Sequence, residues 1–288
     1  MGKAKVYFIK KINSENLINI LEKLPNKLVG NVAIKVHSGE EGNQNFLHPE
    51  FYCDLVKYLH GTIVETNTAY EGSRNTTIKH KKLLEKHNWN KYFQVDLLDE
   101  FGDLDLKIPD GKIIKKNYVG KNLEKYDSML IVSHFKGHPM GGYGGALKQL
   151  SIGCASSYGK AYIHGAGIPE NIWTADHNKF LEAMVDAAKS VVEYFNGHIL
   201  YINVMANMSV DCDCCREAKD PCISDIGILA STDPVALDKA CVDLVYQSKE
   251  RGAKELIARI ESRNGIHTIN EANKSNLGSL EYELEYID

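Results

Sequence analysis

Short apolar runs alternate with amphipathic segments along almost the whole chain. The runs at 5–9, 32–36, 62–65, 129–132, 199–204 and 226–229 are brief, rich in aliphatic residues and bounded by polar or glycine positions, and they predict buried strands. The segments 13–24, 49–59, 76–86, 176–195, 234–249 and 253–262 predict helices. In 176–195, Phe180, Met184, Ala187, Val191 and Phe195 recur at steps of three or four and form one apolar stripe. Asn196-Gly197 ends it. Asp233 is placed to cap the helix at 234, Pro234 takes its favoured first position, and Leu237, Cys241 and Leu244 make its stripe. Strands alternating with helices imply an α/β fold, a mostly parallel sheet covered by helices on both faces. The expectation is a single domain over 1–288, with possible lobes 1–125 and 126–288. In such a sheet, ligands bind outside the carboxyl ends of the strands.

Composition narrows the function classes. The 288 residues are 43% apolar and 25% charged, with a net charge of −4 and both signs interleaved. That balance lacks the basic face a nucleic-acid binder needs. The first residues hold only a short apolar run before Lys10-Lys11, which fits a first strand rather than a signal peptide. No apolar stretch approaches the ~20 residues of a membrane span. The default compartment is the cytoplasm, where thiols stay free or bind metal. Seven cysteines, an odd number, make a disulfide framework a poor explanation.

The segment from Ser133 to Lys148 follows a predicted strand and carries five glycines between Gly137 and Gly145. Glycines allow close approach to the backbone, and exposed amides at Gly141, Gly142, Gly144 and Gly145, with the Lys148 charge, would form a nest for an anion. The spacing matches neither a Walker loop nor a Rossmann fingerprint. A plain glycine-rich turn is the alternative. His37, His134, His138 and His164 each follow a strand-like run. Imidazole serves as acid, base or metal ligand near neutral pH. Here His134 and His138, with Lys35, are the candidates for proton transfer, and His37 and His164 for metal. The stretches 35–43 and 66–74 also fit the edge of a site, and Arg74 adds a second anion-binding charge.

Cys212, Cys214, Cys215 and Cys222 fall within eleven residues, among Asp211, Asp213, Glu217, Asp220 and Asp225. Nearby carboxylates raise thiol pKa values, and a bound cation would relieve the repulsion. Thiolates favour zinc or an iron–sulfur cluster. Thiol redox chemistry and inert packing are the alternatives. The spacing matches no standard zinc or ferredoxin pattern.

At 35–43, 66–74, 133–154, 211–215 and 225–238 the sequence resembles the domain-of-unknown-function family 362, often described as uncharacterised iron–sulfur-centre proteins. The resemblance implies an iron–sulfur protein. Relatives carry a ferredoxin-like insert after the His164 region, but 164–176 here holds no cysteine. Only the 212–222 cluster could then support that label. More distantly, Gly142 to Lys148 with His164 is similar to the glycine-lysine motif and later histidine of nickel-pincer lactate racemases. That likeness implies that Lys148 holds a phosphorylated, nucleotide-type ligand and His164 a metal. Leu147 stands where an arginine often precedes that lysine.

Two expectations follow. One is an enzyme, a metal-dependent oxidoreductase or a racemase- or isomerase-like protein, with a small anionic ligand and a redox partner protein if a cluster is present. The other is a non-catalytic binding or accessory protein stabilised by zinc. Neither involves nucleic acid or membrane.

Overall fold

The computed structural model describes residues 3–287. Strands β1 (Ala4–Ile9), β2 (Val32–Lys35), β3 (Thr62–Glu65) and β4 (Asp96–Leu97) lie in the first part of the chain. A hairpin of β5 (Asp103–Lys107) and β6 (Lys116–Gly120) follows, then β7 (Ser128–His134). A second small hairpin pairs β8 (Lys136–His138) with β9 (Gly142–Gly144). The last strands are β10 (Ile199–Met205), β11 (Gly227–Ser231) and β12 (Tyr282–Tyr286). Eight strands form one sheet in the order β12-β1-β11-β10-β7-β2-β3-β4. The run from β10 to β4 is parallel throughout, β12 is parallel to β1, and β11 runs antiparallel to both its neighbours. The fold is α/β with a mostly parallel sheet, as the alternation of elements predicts.

Helices α1 (Ser14–Leu21), α2 (Cys53–Leu59), α3 (Thr77–Lys86) and α4 (Trp89–Tyr92) serve one face, where Leu17, Ile20, Leu55, Leu84 and Trp89 join a common apolar cluster. Helices α5 (Ala146–Ser151), α6 (Ser157–His164), α7 (His177–Tyr194), α8 (Pro234–Gln247), α9 (Ala253–Ser262) and α10 (Gly265–Lys274) complete the chain. All of these but α6 place buried residues in the cluster on the other face. The strands show why both faces must be covered. Met129 and Ile131 of β7 enter one cluster, and Leu130 and Val132 enter the other.

Asp233 caps its helix as expected, and Asn13, Thr76 and Asp176 do the same for theirs, each accepting a hydrogen bond from an amide of the first turn. Two readings are corrected. The run ending at His164 is a helix, α6, with Ser156 as its N-cap, and not a strand. The segment 49–59 begins as a 3-10 turn before α2. The sheet itself runs across residue 125: β2 pairs with β7, and β7 with β10. Chain order reverses between β2 and β7, since β3 and β4 lie on one side of β2 and β7 on the other. A crevice is expected beyond the carboxyl ends of these strands.

Candidate active site

A cavity of about 270 Å³ opens there. Its walls bring together eight of the residues marked from the sequence: Lys35, His37, Arg74, His138, Lys148, His164, Cys214 and Cys215. It also holds Glu65, Gln149 and Lys160, which the sequence reading missed.

Lys35 and Glu65 end adjacent parallel strands, so their side chains meet: Lys35 Nζ donates to Glu65 Oε2 (3.0 Å) and to the Val36 carbonyl (2.6 Å). Arg74 is buried against Glu40 (3.1 Å) and Glu65 (3.8 Å). Burial opposes ionisation of Glu65, yet the charges of Lys35 and Arg74 hold it well below the usual carboxylate range. Lys35 is thus a wall residue whose charge is paired with Glu65. His37 Nδ1 accepts the Gly39 amide (3.0 Å) and Nε2 faces the Arg74 guanidinium (3.4 Å). Burial, then the Arg74 charge, push the ring well below the normal histidine range. With one nitrogen engaged and a cation at the other, His37 is a poor metal ligand.

Lys148 differs from these. It projects from the short helix α5 into the cavity and, among the described residues, its ammonium makes no hydrogen bond or ion pair. The neighbouring Gln149 side-chain nitrogen is buried in the same wall with no partner. Helix α6 supplies the opposite groups, Lys160 and His164, one turn apart on one face. His164 Nδ1 lies 2.8 Å from the Lys160 carbonyl, so it carries the ring proton and leaves the lone pair on Nε2. Burial lowers this ring to about 4, so it is neutral at pH 7. Lys160 Nζ donates to the Thr66 hydroxyl and to the Ala155 carbonyl (2.6 Å). Burial pulls it down to about 7.

The glycine loop is not an open anion nest. It is the β8–β9 hairpin, and the first amides of α5, at Ala146 and Leu147, already donate to the Asp238 carboxylate (2.7 and 3.0 Å). Gly145 is glycine because a Cβ there would collide with Asp238, and Gly142, at φ +81°, passes against Gly265 of α10. Gly142 and Gly145 are close-packing positions, Gly141 and Gly144 sit in the hairpin with looser neighbours, and Lys148 is what the loop delivers to the cavity.

His134 is likewise corrected. Its Nδ1 faces Asp213 (2.9 Å) and its Nε2 the Ala206 carbonyl (2.5 Å), so neither nitrogen is free for acid–base work. Asp213 also takes Lys136 Nζ at 2.7 Å. Burial opposes its ionisation, but the His134 and Lys136 charges hold it well below the usual carboxylate range. Pinning Asp213 inward sends its neighbours Cys212 and Cys214 toward His138. The ligand atoms of His138, Cys212 and Cys214 all lie within 4.8 Å of one another. Burial pushes the Cys212 thiol up to about 11. Cys215 is lowered, first by the Cys214 thiol beside it.

By donor type and spacing this trio suits a soft divalent ion. A four-cysteine cluster does not fit: Cys222 turns its sulfur to the Met208 carbonyl (3.3 Å) and stands outside the group. His37 and His164 also stand outside it. The amides of Met140 and Gly141 donate to His138 Nδ1 (3.1 and 2.9 Å), so the neutral ring carries its proton on Nε2, which faces Cys214 at 3.7 Å. A metal at Nε2 would take that proton's place.

Residues 32–243, which contain every cavity-lining residue named above, match the family model described as a domain of unknown function, DUF362. The chain belongs to this family. No protein of curated function matches it. Among solved structures, this DUF362 chain is similar to the lactate racemase apoprotein from Thermoanaerobacterium thermosaccharolyticum at 14% identity and a TM-score of 0.46, covering 83% of this chain and 56% of that one. It is similar to a protein from Thermotoga maritima at 14% identity and a TM-score of 0.45, covering 96% and 60%. The chain thus spans less than two thirds of either structure, and likeness at this level is silent on chemistry. Among the described residues no helix is long and apolar enough to cross a membrane.

Proposed function

We propose that this DUF362 protein is an enzyme that binds a small monocarboxylate and moves a proton at the carbon beside its carbonyl. The observation that carries this is the unpaired Lys148 ammonium sharing one cavity with Lys160 and with the open Nε2 of His164. Charge counting favours a carboxylate over a phosphate. Lys35 and Arg74 are neutralised by Glu65 and Glu40, so Lys148 is left to hold one negative charge. The first amides of α5, at Ala146 and Leu147, are spent on Asp238, and the Gly141 amide on His138. The Gln149 amide is the second donor for the carboxylate.

Lys160 then takes the proton, since an amine poised near neutral pH can both accept and return it. His164 presents the lone pair of Nε2 to a water in the cavity. The test is deuterium incorporation from D2O into small 2-oxo acids, followed by NMR on the full chain. Enzyme-dependent exchange is expected, falling by roughly 10²-fold or more in Lys160→Met and showing a raised KM in Lys148→Ala. Exchange no faster than buffer for every acid, or unchanged rates in both variants, would sink the reading.

A second reading has its own observation, the close approach of His138, Cys212 and Cys214. A zinc ion there would have three protein ligands. Metal analysis of purified protein decides it. Near-stoichiometric zinc lost in Cys212→Ser supports the site, and metal-free protein of full stability counts against it.

A further inference from the structure

Polar groups make up only part of the cavity lining. Much of the remaining wall is apolar: Met140, Ile152, Ile172 and Trp173, with the ring of Tyr70. Trp173 is 65% exposed while still lining the cavity. A tryptophan left this open, on a segment that leaves α6 through positive φ at Ala166 and Gly167, is a surface with unused apolar area. Its ring centroid lies 6.4 Å from that of Tyr70, with the planes at 51°. Tyr70 is fixed by its hydroxyl, which contacts the Cys214 carbonyl (3.4 Å) and Arg74 (3.5 Å). One face of the His164 ring is stacked on Phe180 at 4.8 Å. Two aromatic rings and one unpaired ammonium lining a single cavity define a ligand that carries a ring and a negative charge.

We infer that the cavity takes a small carboxylate bearing an aryl group, its carboxylate on Lys148 and its ring against Trp173 and Tyr70. This rests on the carboxylate reading above and extends it to the apolar half of the molecule. Aromatic pairs prefer tilted or offset contacts at centroid distances of about 4.5–7 Å. A third ring can pack on this wall in that range, whereas a saturated ring of similar size gains burial without the ring–ring contact.

Calorimetry on the full chain tests it with four probes: 3-phenylpropanoate, propanoate, 3-cyclohexylpropanoate and 2-phenylethanol. Phenylpropanoate should bind at least tenfold tighter than propanoate, and severalfold tighter than the cyclohexyl acid. Phenylethanol should bind at least tenfold more weakly than phenylpropanoate. Trp173→Ala should shrink the phenyl-to-methyl preference roughly tenfold, and Trp173→Phe should restore most of it. Trp173 is exposed, so both variants should fold, which far-UV circular dichroism checks. Equal binding of phenylpropanoate and propanoate, with both lost in Lys148→Ala, would overturn the aryl assignment and leave the carboxylate reading standing. A cyclohexyl acid as tight as the phenyl acid also overturns it. No carboxylate bound, or phenylethanol as tight as phenylpropanoate, overturns both readings together.

Discussion

At the scale of single residues, the site is built from charges that the protein either pairs or leaves open. Lys160 illustrates the cost of leaving an amine half-satisfied. Its ordinary value is 10.5, and burial brings it to about 7 in the folded chain. Below pH 7 both states hold the proton, and the folded state carries the whole penalty. Between 7 and 10.5 the unfolded chain binds more protons than the folded one, so stability rises with pH. Urea midpoints at pH 7, 8 and 9 should therefore climb more steeply for the natural protein than for Lys160→Met. Parallel slopes would mean that Lys160 is not depressed. Asp213 is the opposite case. Its carboxylate neutralises buried Lys136 and holds His134, and Asp213→Asn leaves an unpaired buried charge, at about 3–5 kcal/mol. Melting should fall by about 10 °C. Because Asp213 also aims Cys212 and Cys214, both thiols should react faster with iodoacetamide in the variant. Its position between two cysteines suggested only repulsion from thiolates. The buried partners 75 or more residues away carry no local signal.

At the scale of elements, the strands and helices with strong periodicity were legible, and those that are buried all round or lie at an edge were not. Helix α7 shows the difference against α5. In α7, Glu182, Lys189 and Glu193 stand between the apolar positions and mark the period, whereas α5 buries Ala146, Leu147, Gln149, Leu150 and Ser151 and shows no polar face to mark one. Strand β12 escapes for the reverse reason, since Tyr282 to Tyr286 is half-exposed at a sheet edge. The costliest misreading was α6. Reading the run before His164 as a strand hid the spacing of four that puts Lys160 beside it, a spacing visible once Ser156 is taken as a helix cap. Gly159 makes this helix a sensitive test, because a Cβ there would collide with the Tyr118 carbonyl of β6. Gly159→Ala should displace α6 as a unit. The expected result is weaker carboxylate binding together with slower deuterium exchange, in a protein whose far-UV spectrum is unchanged. Unaltered exchange would argue that α6 does not set the positions of Lys160 and His164. The thiol turn gives a separate expectation. With Cys212 near 11 and Cys214 also raised, zinc must displace thiol protons on binding. Affinity should fall steeply as pH drops from 8 to 6, by more than tenfold per unit. A flat profile would place the metal elsewhere.

At the scale of the molecule, the sequence argued correctly for a mostly parallel sheet and for a site at its strand ends, because hydrophobic period and chain order are both printed along the chain. Strand order is not. Nothing local says that β7 returns beside β2, yet this pairing creates the crevice and brings residues 35, 74, 148 and 164 to one cavity. The same pairing bears on the suggested lobes. A break at 125 would leave β2 with one edge unpaired and strip β7 of a parallel neighbour on the other side. It would also divide both apolar clusters, each of which draws residues from both halves. We therefore predict that residues 1–125 expressed alone do not fold, and that the whole chain unfolds in one step. Two tryptophans make this measurable. Trp89 is fully buried in the first-face cluster, and Trp173 lies at the mouth of the cavity in the second half of the chain. Urea unfolding of Trp89→Phe and Trp173→Phe, each reporting through its remaining tryptophan, should give coincident midpoints that also match circular dichroism. Midpoints separated beyond error would mean that the two halves hold together independently, and that the cavity between β2, β3 and the β8–β9 hairpin is assembled by docking rather than by one continuous sheet.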